Sequence, residues 1–348
     1  MHPLVSGLMA ATLLLSAGCA DAVEGSARPV PGVGDPAAFF AGAVPTYGQR
    51  VSAAEEIRLA YLRALRRVDV CGLVGRDGLA RIGEIHSSGT FLEFDECDVD
   101  VKIPGVAAPR YISATVELAQ PQGPEVGRDP GVQVREAVPG ACEYLVPIDL
   151  AALPGAGRLP GRQQPYLRIG MVAEPDCAAV ARVASALGAR LTHTPLPVRD
   201  GAATYTTALA ERDPCEVLAV LDGLDSWDID SWDIAGGEPY RCAFGMTRGP
   251  GTAAVPVQLS LRPRVVDAGI DGRELVRTPD AEVYLDRQLC TALVFVGPPL
   301  RRRLGNGDLV DTGDLDIRAA IDVASGEAGC TGPTLVGQVA ARAAALYR

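Results

Sequence analysis

Arg212-Asp213-Pro214-Cys215-Glu216-Val217-Leu218 reads as a helix start. Asp213 can cap the free N–H groups, and Pro214 sits where its missing N–H costs nothing. A new apolar run follows the cysteine. An earlier stretch, Arg67-Val68-Asp69-Val70-Cys71-Gly72-Leu73-Val74, answers it, with an Asp again two residues before a Cys and Val70 in place of the proline. Each follows an Ala-rich run, Leu59 to Leu65 in one case and Tyr205 to Ala210 in the other.

A duplication should carry its other cysteines along. Cys97, Cys142 and Cys177 follow Cys71, and Cys242, Cys290 and Cys330 follow Cys215. The three gaps agree pairwise to within about five residues, so the spacing predicts one domain of ordinary size made twice. The boundaries read as 51–193 for the first copy and 194–348 for the second.

Within the first copy, Ser52-Ala53-Ala54-Glu55 has the form of a capping box, followed by Ile57, Tyr61, Leu62 and Leu65 at helical spacing. Thr90 to Lys102 reads as strand. Tyr111 to Leu118 alternates, with Ile112, Ala114, Val116 and Leu118 on one face, as a half-buried antiparallel strand does. Gln120 to Pro130 is a Pro/Gly-rich loop, Cys142 opens another strand, and Leu167 to Val172 is its expected partner. A helix from Cys177 turns Val180, Val183, Ala184 and Leu187 inward, with Gly188 placed to stop it. The second copy repeats the order: Val255, Val257, Leu259 and Leu261 alternate, Cys290 opens a strand, Ile317 to Val323 is the next, and Pro333 opens a last helix. Pro256 cannot donate to a ladder, which predicts an edge or a bulge there. The fold class expected is α+β: two tandem copies of an antiparallel sheet flanked by helices, stapled by disulfides.

Leu4 to Ala17 is an apolar run of signal-peptide length ending in Leu15-Ser16-Ala17-Gly18-Cys19. It resembles the lipobox of bacterial lipoproteins, in which the cysteine is lipidated and becomes the mature N-terminus. That resemblance makes residues 1–18 a signal peptide, Cys19 a diacylated (palmitate-bearing) anchor and 19–50 a tether. An ordinary secretory signal, giving a secreted protein, is the alternative. Cys19 is also the ninth cysteine, left over when the repeat has used eight. Residues 20 to 49 are mostly Pro, Gly and Ala, a composition that cannot bury enough to fold, with Phe39 and Phe40 as sticky exceptions.

In an exported chain the eight remaining cysteines are expected to form two disulfides per copy. Four cysteines allow three connectivities. The one carried forward is sequential: Cys71 with Cys97, Cys142 with Cys177, Cys215 with Cys242, Cys290 with Cys330. Closing loops of this length stabilises by about 3 to 4 kcal/mol in the chain-entropy picture. Metal ligation would need close cysteine pairs or histidine partners, and the sequence has neither.

Other chemistry is sparse. The mature chain has His86 and His193 only, G-x-S-x-G is missing, and paired disulfides would remove the domain cysteines as nucleophiles. No catalytic residue, metal or cofactor is expected. The net charge of −11 disfavours nucleic acid as a partner and leaves the lipid as the one link to the membrane. Asp225-Ser226-Trp227-Asp228-Ile229 is repeated at once as Asp230-Ser231-Trp232-Asp233-Ile234, which reads either as replication slippage in a tolerant loop or as an exposed aromatic and acidic loop that docks a partner through Trp227 and Trp232. Arg301-Arg302-Arg303 beside Gly305 to Asp308 reads as a hairpin tip able to meet an anion.

The Asp-Pro-Cys-x-Val-Leu start, Cys242-Ala243-Phe244 and a late cysteine before the final helix together resemble a family of actinobacterial cell-envelope lipoproteins of unknown function. They are also similar in outline to the extracellular sensor domains of mycobacterial serine/threonine kinases. The resemblance implies a non-catalytic binding, sensor or accessory role, with a protein or small-molecule partner at the extracellular face of the cell membrane. An envelope hydrolase with an unidentified site and a structural subunit of an envelope complex are the alternatives.

Overall fold

The computed structural model describes residues 35–75, 79–80, 83–90, 93–104, 110–126, 133–171, 176–192, 195–199, 208–224, 227–249, 251–263, 273–277, 281–299, 301–303, 309–311, 317–326 and 335–347. Cys19, the signal segment, His193, Asp225, Ser226 and Cys330 lie outside them. Among the described residues no helix is long and apolar enough to cross a membrane.

The first half opens with α1 (Ala53–Arg66), started by the predicted capping box, in which Ser52 and Glu55 satisfy each other's backbone N–H. A short α2 (Val70–Val74) is capped by Asp69, whose carboxylate accepts from the Gly72 N–H at 3.0 Å. Six strands follow: β1 (Glu84–Gly89), β2 (Glu96–Lys102), β3 (Arg110–Ala119), β4 (Arg135–Glu136), β5 (Tyr144–Pro147) and β6 (Gln164–Met171). They form one antiparallel sheet in the order β1-β2-β3-β6-β5-β4. On β3 the residues expected inward, Ile112, Ala114, Val116 and Leu118, are buried, while Tyr111 is exposed. Helix α3 (Cys177–Leu191) packs against β5 and β6.

The second half uses the same path. A 3-10 helix (Pro214–Val220) stands where α2 stood, with Asp213 and Glu216 forming a capping box. The strands are β7 (Asp228–Asp233), β8 (Arg241–Arg248), β9 (Gly251–Pro263), β10 (Glu274–Arg277), β11 (Glu282–Asp286), β12 (Thr291–Pro299), the separate hairpin β13 (Arg301–Arg303) and β14 (Leu309–Asp311), and β15 (Ile317–Ala324). Helix α4 (Leu335–Leu346) ends the described chain's regular structure. The main sheet runs β7-β8-β9-β15-β12-β11-β10, which is the order of the first sheet with one strand added at the far edge. The fold is α+β, the same sheet built twice.

The cysteines occupy matching places. Cys71 joins Cys97 and Cys215 joins Cys242, each from a helix to the second strand with 5.1 Å between Cα atoms; Cys142 joins Cys177 across 4.7 Å. These spans are those of ordinary disulfides. Cys290 is also disulfide-bonded, and its expected partner Cys330 lies outside the described residues. Cys142 and Cys290 both adopt left-handed backbone, φ 55° and 51°, the first two residues before β5 and the second immediately before β12.

Three expectations need correction. The helix that begins at Cys177 does not stop at Gly188 but runs to Leu191, because that glycine is buried against neighbouring structure and the helical hydrogen bonds continue past it. Pro256 is not on an edge strand. The Leu259 N–H donates to the carbonyl of Tyr240, the residue just before β8, so by alternation the proline nitrogen faces β15, whose ladder with β9 ends at Val257. The stretch 19–50 is not tether throughout. Phe39 is buried in the first core, Phe40 lies edge-on to Tyr61 with ring centroids 5.1 Å apart, and Arg63 holds the carbonyls of Gly42 and Ala43. A handful of aromatic contacts gives this Pro/Gly-rich segment the burial its composition lacks, and it forms a strap lying on both halves.

One core gathers buried residues from Phe39 to Leu187, the other from Leu209 to Tyr347, with Phe94 of the first half inserted into the second. The two halves meet closely. The Leu118 N–H donates to the Gly237 carbonyl at 2.9 Å, and a Cβ on Gly237 would stand 2.0 Å from the Leu118 carbonyl oxygen, so the seam needs a glycine there.

Candidate functional site

The described residues contain an open cleft of about 720 Å³ on the first half, within the size range of small-molecule sites. Its walls come from the end of β5 (Val146, Pro147, Ile148), the start of β6 (Gln164, Pro165), the connection between them, and the last turn of α3 (Gly188, Leu191, Thr192). The β5–β6 connection is what shapes it. Asp149 caps a single 3-10 turn by accepting from Ala152 N–H at 3.2 Å, and the chain then passes through left-handed glycines at 155 and 161, with φ 81° and 79°.

The connection is pinned by three residues of α1, at Gly157 and at Gln163. The Tyr61 hydroxyl donates to the Gly157 carbonyl at 2.9 Å, so α1 holds the middle of the connection. Ile57 packs against Gly157, where a Cβ would approach its side chain to 3.1 Å. Arg58 donates to the Gln163 side chain and, at 2.8 Å, to the Ala235 carbonyl of the second half. The cleft is therefore largely preformed.

Its lining is mixed: the aliphatic side chains of Val146, Ile148, Leu159 and Leu191, with Asp149, Arg158, Gln133 and Gln164 as polar groups. The Thr192 hydroxyl is spent on the Ala189 carbonyl at 2.8 Å. Among the described lining residues there is no serine, cysteine or histidine. The arrangement can hold a partly apolar ligand and meet its polar groups with amides and one charge of each sign.

The residues singled out in the sequence lie elsewhere. Trp227 is not on an exposed loop: it is 5% exposed, part of the second core, with the Arg248 guanidinium 4.8 Å over its ring. Trp232 is half-buried in β7, its ring 6.2 Å from that of Tyr47. The reason is a bulge. Ile229 and Trp232 are three residues apart and would face opposite ways in a regular strand, but a register shift between Ile229 and Ser231 sets them against Met246 and Phe244, both core residues. The acidic members Asp228, Asp230 and Asp233 stay outside on a sheet edge, where charge discourages further strand pairing. His86 is exposed on β1, far in sequence from the cleft-forming connection. No group of three potential metal ligands occurs among the described residues. The backbone of Arg301 to Arg303 forms β13, which lies against β1 of the first half.

Sequence reasoning missed the cleft. Its signal was the sixteen-residue gap between Pro147 and Gln164, which carries three glycines and two prolines yet sits between two strands of one sheet. The equivalent gap in the second half carries the β13–β14 hairpin instead. The copies share their sheet order and diverge in this connection, which forms a cleft in one and a clasp toward β1 in the other.

Fold and site together describe a disulfide-stapled, duplicated α+β protein with a preformed ligand-sized cleft on its first copy. Comparison with protein-family profiles, with curated proteins and with solved structures finds no match to the chain.

Proposed function

We propose that this chain is a lipid-anchored protein of the cell envelope that binds a small ligand in the first-half cleft and does no covalent chemistry on it. The observation that carries the reading is the cleft itself, formed by the connection in which two otherwise matching copies differ. Duplication supplies two scaffolds, and loops on a rigid scaffold are where binding is commonly placed. The disulfides favour an oxidising compartment. The lipobox-like Leu15 to Cys19 accounts for attachment, and the second half serves to brace the first.

The test is retention of native ligand. The full-length chain is purified from its own envelopes without denaturation, beside an Ala151→Trp variant that fills the cleft from an exposed lining position, and small molecules released from each are compared by mass spectrometry. A species on the wild type and missing from the variant supports the reading. The same species on both, or on neither, removes it. Membrane partition of Cys19→Ala tests the anchor separately, since a variant that still sediments with membranes defeats that part alone.

A further inference from the structure

The seam between the halves has a buried acidic centre. Residues 93–95 lead into β2 but belong spatially to the second half. Glu93 bridges Ser260 and accepts from the Gln258 amide at 2.8 Å. Phe94 is fully buried in the second core, its ring 5.2 Å from that of Tyr240. Arg199, from the segment joining the halves, closes over this insertion: it donates to the Phe94 carbonyl at 2.7 Å, to the Ala210 carbonyl at 3.0 Å, and to the Tyr240 hydroxyl. Asp95 stands at the base of the insertion, 5% exposed, its carbonyl accepting from the Val116 N–H at 2.9 Å.

We propose that the Phe94–Asp95 insertion is a proton-operated latch between the halves, seated when Asp95 is protonated and loosened when it ionises. A buried carboxylate is stable as the neutral acid and costly as an anion unless it is fully paired. Burial is the largest influence on Asp95 and pushes it up to about 7; the charges that face it are Arg199, which favours the anion, and Glu238 and Glu96, which oppose it. A backbone hydrogen bond and the Arg199 charge both favour the anion, but burial outweighs them. In the opened seam Asp95 would regain water and an ordinary acidity. The opening equilibrium then rises about tenfold per pH unit from about pH 5 to pH 6.5 and levels above about pH 7.

The experiment is hydrogen exchange of the disulfide-intact chain between pH 5 and 8.5, corrected for the intrinsic pH dependence of exchange. The peptide containing Leu118 reports the seam through its bond to Gly237, and one spanning Leu167 to Ile169 reports the interior of the first sheet. The expected result is that seam protection falls about tenfold per pH unit and then levels near pH 7, while the interior changes much less. Asp95→Asn is expected to remove the slope, and Glu238→Gln, which removes an opposing charge, to move the levelling point to lower pH. A wild-type seam without the slope, a slope retained in Asp95→Asn, or an unmoved levelling point in Glu238→Gln overturns the latch.

Discussion

Arg66, on the last turn of the first helix, donates to the carboxylate of Asp213, the residue that caps the 3-10 helix of the other copy. Both side chains are mostly buried, 12% and 18% exposed. The Tyr347 hydroxyl donates to the Asp213 carbonyl at 2.7 Å, so the C-terminal end of the chain reaches the same residue. A cap in one half has thereby become a fastening for both.

Asp213→Ala removes a cap and strands a mostly buried guanidinium, and is expected to cost about 2 to 4 kcal/mol in urea unfolding. Arg66→Ala should cost a similar amount, with the double variant recovering at least about 1 kcal/mol of the sum. Additive losses would show that the two residues act separately.

A chain beginning at residue 51, as the tether reading would suggest, discards Phe39 and Tyr47. Phe39 is 2% exposed, and its truncation alone is expected to cost about 3 to 5 kcal/mol. Calorimetry of the shortened chain and of Phe39→Ala should show comparable large falls in Tm. An unchanged Tm would return the segment to the status of a free linker.

Trp227→Ala is expected to destabilise the second half by about 3 to 5 kcal/mol, as loss of a core aromatic does. Intrinsic fluorescence should show its indole shielded from iodide in the native state. Strong quenching of both tryptophans would contradict the burial.

The acidity of Asp95 also fixes the sign of a whole-molecule effect. Its folded value, about 7, lies above its ordinary value of 3.8, so its contribution is fully present below about pH 4 and is lost as pH rises through 7. On the order of 4 kcal/mol is at stake. Unfolding of Asp95→Asn, followed against wild type from pH 4 to 8, should show the wild type falling behind across that window. Parallel curves would mean that Asp95 is not the group responsible.

Periodicity and cysteine spacing carried most of the architecture. The alternation at Ile112 to Leu118 and at Val255 to Leu261, and the sequential pairing through Cys71, Cys142 and Cys215, are local patterns with local causes. Failures came where distant residues decide. Trp232 faces inward because of a bulge whose register depends on β8, and nothing in Asp-Ser-Trp-Asp-Ile encodes it. Phe94 leaves its own half for the other core, which a residue-by-residue alternation cannot show. The cleft was invisible because it is a space between Ile148, Leu159 and Leu191, residues that only the closed sheet and α3 bring together.

The strap has a mechanical meaning. Among the described residues, its first deep hold is Phe39 in the first core, and Tyr47 meets the second half only further along. A load applied at that end must extract the phenylalanine before it can reach the joint. The body would hang from its first copy, with the joint shielded from the pull.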